Sequence, residues 1–129
     1  MPQAFPTGLS IETADRADCR VFRLSGELDL LVAGAQEAEF TKLVAASPHH
    51  TAVLDMSDVA FCDSTGLGML IRAAKHLWPH GGTLRIAAPQ AQVTRLITTN
   101  GLARALPLFD SVELACAAEE TGPLGAPSP

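Results

Sequence analysis

The chain lacks tyrosine, has a single tryptophan, and carries only 5% aromatic residues among its 129. Its core must therefore come from Leu, Ile, Val and Ala. With 47% apolar and 18% charged residues it has enough to bury such a core, at a length that suits one domain, and it is not of disordered composition. Basic residues are few as well: nine Lys and Arg against fourteen Asp and Glu, for a net charge of -5. They are scattered, so there is no basic stripe, and direct nucleic-acid binding is excluded as an expectation. No stretch approaches the roughly 20 apolar residues that a membrane span requires. Residues 1–8 show neither the basic cluster nor the hydrophobic run of a secretory leader, so the expected location is cytoplasmic.

Cysteine is scarce too. Cys19, Cys62 and Cys116 are odd in number, widely separated and without C-x-x-C spacing, which argues against a disulfide framework and against a zinc knuckle. Each is expected to be a small buried apolar residue. The four histidines do not have metal-binding spacing: His49-His50 falls in a loop, and Pro79 interrupts the helical face that His76 and His80 would share. No cofactor or metal is expected.

What is present is an ordered alternation of element signals. Residues 1–8, with two prolines and a glycine, read as a flexible N-terminus, 9–120 as the domain, and 121–129 as a flexible Pro/Gly-rich tail. Strands are expected at Leu9–Ala14 and Cys19–Leu24, the second ended by Gly26, with Gly26–Asp29 turning into a helix. In the second strand Cys19 and Val21, with Arg23 next in the alternation, face one way, Phe22 and Leu24 the other. A helix at Ala33–Ala46, a strand at Ala52–Met56 and a helix at Gly66–Trp78 follow, the last with Leu67, Leu70, Ile71, Ala74, Leu77 and Trp78 at helical spacing. Then come a strand at Thr83–Ala87, a helix from Pro89 to about Thr99 ended by Asn100-Gly101, a strand at Val112–Leu114 and a helical turn within Ala115–Glu120. The order β-β-α-β-α-β-α-β predicts an α/β domain whose mixed sheet of about five strands is covered by helices mainly on one face.

The segment Val59–Gly68 carries the functional information. Phe61-Cys62 runs straight into Asp63-Ser64-Thr65 and two glycines, and the strongest helix begins at once. Asp63 or Ser64 suits the N-cap, and the glycines allow close approach of other backbone. A capped helix alone would account for this. The functional alternative is that Ser64 offers an exposed hydroxyl at a helix N-terminus, where a phosphate is tolerated and would add roughly -1.5 to -2 charges. On the same helix Met69, Arg72 and His76 fall opposite the apolar face and are candidate contacts for a partner. Enzyme motifs come near and fail: Gly66-Leu67-Gly68 lacks the third glycine of a dinucleotide loop, there is no P-loop, and Cys62 stands where a nucleophile elbow needs glycine.

At these residues the chain resembles the STAS family, the sulfate-transporter and anti-sigma-factor-antagonist domains, and within it the free-standing antagonists. The matching stretches are Leu24-Ser25-Gly26-Glu27-Leu28-Asp29, Ala52–Met56 and Phe61–Gly68, with looser matches at Gly81-Gly82, Val93–Leu96 and Gly101-Leu102. Together they span about Leu9 to Ala115. The resemblance implies partner switching: the unphosphorylated protein binds an anti-sigma factor that is often a serine kinase, and this frees a sigma factor. Phosphorylation of the serine matching Ser64 (Thr65 is its alternative) separates the pair, and a phosphatase resets it. Asp29 matches an acidic residue near that serine. The expected partner-binding residues are Asp29, Asp63, Ser64, Thr65, Gly66, Met69 and Arg72, on a monomer or weak dimer that is not an enzyme. A STAS scaffold in a sensor complex and a small serine hydrolase are the alternatives.

Overall fold

Alternation at residues 20–24 sends Val21 to one side of a sheet and Phe22 and Leu24 to the other, and this division organises the molecule. The computed structural model describes residues 3–4, 9–16 and 19–118. Strands β1 (Gln3–Ala4), β2 (Ser10–Asp15), β3 (Arg20–Leu28), β4 (Ala52–Cys62), β5 (Leu84–Ala87) and β6 (Leu108–Phe109) lie side by side in chain order. The first three pair antiparallel and the rest parallel. Each parallel step moves to the next position in the same direction, so right-handed crossovers put every intervening helix on the same face. Helices α1 (Leu30–Ala45), α2 (Ser64–Ala74) and α3 (Ala91–Thr99) accordingly share one core with Phe22, Leu24, Leu54, Met56, Leu84 and Ile86. A fourth helix, α4 (Val112–Ala117), packs on the opposite face over Val21, Val53 and Ala87. The mixed α/β sheet with helices mainly on one face is as the sequence implies.

Several boundaries differ, and two of the differences build the site. Gly26 does not end β3. It sits at φ 120°, between two register shifts against β4, and the strand runs on to Leu28. Glycine is needed there because an L side chain is strained at positive φ, and the irregularity increases local twist without ending the pairing. Likewise β4 does not stop at Met56 but pairs with β3 as far as Cys62. Its polar middle resembles a strand end in sequence alone. Ser57 is instead tied back to the Asp55 carboxylate through its amide and hydroxyl, and Arg23 holds Asp58 at 2.8 Å.

Helix α1 starts at Leu30, three residues before the expected Ala33, because Asp29 caps it. The end of α2 comes at Ala74 instead of Trp78: the amides of His76 and Leu77 bond to carbonyls three residues back, and Pro79 then forces a short 3₁₀ turn at Trp78–His80. That turn stacks the rings of His80 and His50, with centroids 4.3 Å apart. Gln3–Ala4 pairs with β2 where a frayed end was expected. The tail expected at 121–129 lies outside the described residues.

Two expectations are overturned. Val112–Leu114 is the start of a helix, capped by the Ser111 hydroxyl accepting the Leu114 N–H; the last strand is Leu108–Phe109, too short to show any periodicity. Cys19 and Cys116 are not separate apolar residues but a disulfide, with Cα atoms 6.1 Å apart. The two are 97 residues apart and meet only because α4 returns to the start of β3, which spacing alone does not reveal. Cys62 is, as expected, a buried free thiol.

Candidate functional site

Strands β3 and β4 end side by side, Leu28 opposite Cys62, and each feeds a helix after one residue. The two linking residues are Asp29 and Asp63, in extended backbone, and each is an N-cap. Asp29 Oδ1 accepts the N–H groups of Leu31 and Val32 at 3.1 Å. Asp63 Oδ1 accepts the Gly66 N–H at 2.8 Å, while its Oδ2 reaches across to accept the Leu30 N–H of α1 at 3.1 Å. One carboxylate thus caps its own helix and holds the first amide of its neighbour. Carboxylates satisfy the orphan donors at helix N-termini and complement the helix dipoles.

Replacing Asp63 with Ala removes both bonds. We expect a loss of about 2 kcal/mol in urea unfolding, with Asn costing roughly half, because its amide oxygen keeps one acceptor while its NH₂ meets a donor.

Beneath this pair the backbone is packed tightly. The Leu28 carbonyl accepts the Asp63 N–H at 3.1 Å and lies directly against the Cα of Gly66. The expected close approach of other backbone is therefore real at Gly66. At Gly68 it is not, since the nearest neighbour is only the Arg72 guanidinium. The overhang of β4 beyond β5, whose pairing stops at Asp55, is closed by α3: the Gln92 amide accepts the Cys62 N–H at 2.9 Å and donates to the Cys62 carbonyl at 2.8 Å, and Gln90 donates to the Ser57 carbonyl. Sequence reading misses both glutamines. They follow Pro89 in the first turn of a helix that has no visible tie, in sequence, to the distant Cys62. The Cys62 thiol, in contact with this corner, is pushed up to about 12 by burial and by the neighbouring Asp63 charge, so it stays protonated and unreactive.

Ser64 is the first residue of α2 and is exposed; Thr65 is half-buried and Gly66 buried. The cap itself is Asp63. The same corner carries exposed apolar side chains that sequence reading does not single out, next to the two caps: Leu30 is 63% exposed, Leu31 68% and Phe61 41%. Among the described residues, three of the four large exposed apolar side chains gather here. A helix starting only at Ala33 would leave the two leucines in a turn. Met69 was expected on the open face and is instead fully buried in the main core, so it cannot meet a partner. It belongs to the stripe that α2 turns inward as it leans against α1, a contact that periodicity within one helix does not report. Arg72 stays half exposed, but its guanidinium is engaged by Glu37 of α1 through a bidentate pair, one arm at 2.8 Å. The arginine's hydrogen bonds hold the Glu37 carboxyl below the ordinary range. That small contribution is present at neutral pH and lost as pH falls through the carboxylate range. Asp29, Asp63, Ser64 and Thr65 are thus brought together at one corner, while Met69 leaves the set and Arg72 braces the helix pair.

Among the described residues no group of three or more His, Cys, Asp or Glu could hold a metal, and no helix is long and apolar enough to cross a membrane.

The family model for the STAS domain matches residues 10–115. An anti-sigma F factor antagonist of Paenibacillus polymyxa is 27% identical over 103 residues, 80% of this chain and 88% of that protein. The anti-sigma-F factor antagonist RsfB of Mycobacterium tuberculosis is 28% identical over 109 residues, 83% of this chain and 86% of its own length. Among solved structures, an anti-sigma factor antagonist from Mycobacterium paratuberculosis superimposes with a TM-score of 0.73 at 27% identity, covering 88% of this chain and 95% of that one.

Proposed function

Since the chain belongs to the STAS domain family, we propose that it is an anti-sigma factor antagonist that works by partner switching at Ser64. In its unphosphorylated form it binds an anti-sigma factor with serine-kinase activity and so releases a sigma factor; phosphorylation of Ser64 ends the complex, and a phosphatase restores it. The names of the Paenibacillus and Mycobacterium relatives support the class of partner.

The observation that carries this reading is the exposed Ser64 in the first turn of α2, at the corner that also exposes Leu30, Leu31 and Phe61. Exposed apolar side chains around a polar centre are the composition of a protein contact. A phosphate there would stand beside the side chains of Asp63 and Asp29, both bonded to backbone N–H groups. It would raise the negative charge of that contact without breaking a cap, so the domain keeps its fold while its surface changes. On this reading the protein acts in the cytoplasm, needs no cofactor, catalyses nothing and works as a monomer or weak dimer.

Incubation with the cognate anti-sigma factor and ATP, followed by intact-mass measurement and peptide mapping, tests the assignment. One phosphate on Ser64, absent from Ser64→Ala, is expected. A phosphate on Thr65 alone, or none, overturns it.

A further inference from the structure

We infer that Cys19 and Cys116 are a second, redox-controlled switch, which latches α4 onto the sheet face opposite α1–α3 when oxidised and releases it when reduced. The latched helix is weakly held by anything else. It has six residues, too few to persist alone, and Ala115 is its buried side chain while Leu114 points outward. The cluster beneath it is small: Val21, Val53, Ala87 and Ala115 with Cys19, against which Phe109, Val112 and Cys116 are partly buried. Apart from the disulfide, the main polar tie among the described residues is Arg85 of β5, whose guanidinium donates to the Ala115 carbonyl at 2.6 Å and to the Ala118 carbonyl at 3.1 Å. Elements with few buried apolar contacts open locally, well before the rest of a fold.

The two sulfurs are unequally accessible: Cys19 is buried and Cys116 half-buried. A dithiol reductant therefore attacks at Cys116. Its thiolate forms a bond to the Cys116 sulfur, the Cys19–Cys116 bond breaks, and Cys19 leaves as a thiolate that takes up a proton. The reductant's second thiol then displaces Cys116, which is protonated in turn, and the reductant departs as its own disulfide. Oxidised glutathione re-forms the bond: the Cys116 thiolate attacks one of its sulfurs and releases one glutathione, and the Cys19 thiolate then attacks the Cys116 sulfur of the mixed disulfide and releases the second. Cys62 does not compete, because it lies in the other core and its thiol is unreactive. In a cytoplasmic regulator such a bond is not a permanent staple, since thiols there are kept reduced and a disulfide reports oxidising conditions. That regulatory sense rests on the function proposed above; the chemistry does not. Cys19 immediately precedes β3 and Val53 lies near the start of β4, while Ser64 lies beyond the end of β4, so the two switches sit at opposite ends of the same strands.

The test uses the full chain, equilibrated with oxidised glutathione or with dithiothreitol, and reads intact mass, non-reducing peptide maps and amide hydrogen exchange. Oxidation is expected to remove two hydrogens and link Cys19 to Cys116. Reduction is expected to speed exchange across 112–118 by roughly tenfold or more, with α1 and α2 unchanged. Cys116→Ser should show the reduced pattern without reductant, and the wild-type redox titration gives the answer even if that variant folds poorly. Absence of the link, or equal exchange in both states, overturns the proposal. Because no partner is present, failure here leaves the Ser64 reading intact, and failure of Ser64 phosphorylation leaves the latch intact.

Discussion

Gly66→Ala is expected to destabilise the domain by about 3 kcal/mol or more, lowering the melting temperature by roughly 10 °C. A Cβ at this position would fall far inside van der Waals contact with the Leu28 carbonyl oxygen and carbon. Neither partner can yield easily. The oxygen accepts the Asp63 N–H, Leu28 is paired with Cys62, and Gly66 is held by the Asp63 cap. Separating them means opening the corner from which both helices start. Gly68→Ala is the control two residues on. There a Cβ meets only the end of the Arg72 side chain at 3.0 Å, which can shift at no more than the small cost of its exposed pair with Glu37, and the gain in helix propensity is up to about 1 kcal/mol. Thermal unfolding of the two variants should therefore move in opposite directions, or leave Gly68→Ala unchanged. Equal losses in the two variants would show that the cost does not come from the Leu28 contact.

Ser64→Asp is expected to weaken binding to the anti-sigma factor about 100-fold, which is roughly 2.7 kcal/mol, and a phosphate to weaken it further. The added charge lies next to Asp63, at the corner that also carries exposed Leu30, Leu31 and Phe61, so a partner covering that corner must desolvate it. Ser64→Ala removes only a small hydroxyl and should bind within about threefold of wild type. Folding provides an independent check. A negative charge in the first turn of a helix is favourable by about 0.3–1 kcal/mol, so Ser64→Asp should melt no lower than wild type while it binds worse. Isothermal titration or surface binding, repeated across salt concentrations, separates repulsion, which salt screens, from desolvation, which it does not. Unchanged affinity of both variants would rule out Ser64 as the switching residue.

Much of this site is local and legible in the amino-acid sequence. Asp63-Ser64-Thr65-Gly66 marks a helix start because capping and glycine chemistry act within four residues, and the apolar spacing of Leu67, Leu70, Ala74 and Leu77 identifies the inward face of the following helix. The same logic fails for Met69, whose burial depends on how closely α1 and α2 pack. It also fails at Gly26 and at the polar middle of β4, where local propensity says stop. The neighbouring strand supplies hydrogen bonds that carry each chain on to the corner.

The amino-acid sequence by itself determined the α/β class, the order of the main alternating elements, and Ser64 at the head of α2, since each follows from interactions a few residues long. Tertiary structure alone decided the rest. It showed that Asp63 serves two helices, that backbone crowds Gly66 while only a side chain nears Gly68, that Gln92 closes the edge of β4, and that Cys19 meets Cys116. Each of these joins residues brought together by the parallel crossovers or by the return of α4. Contacts across such distances leave no periodicity in a single chain, because the residues that make them share no local repeat.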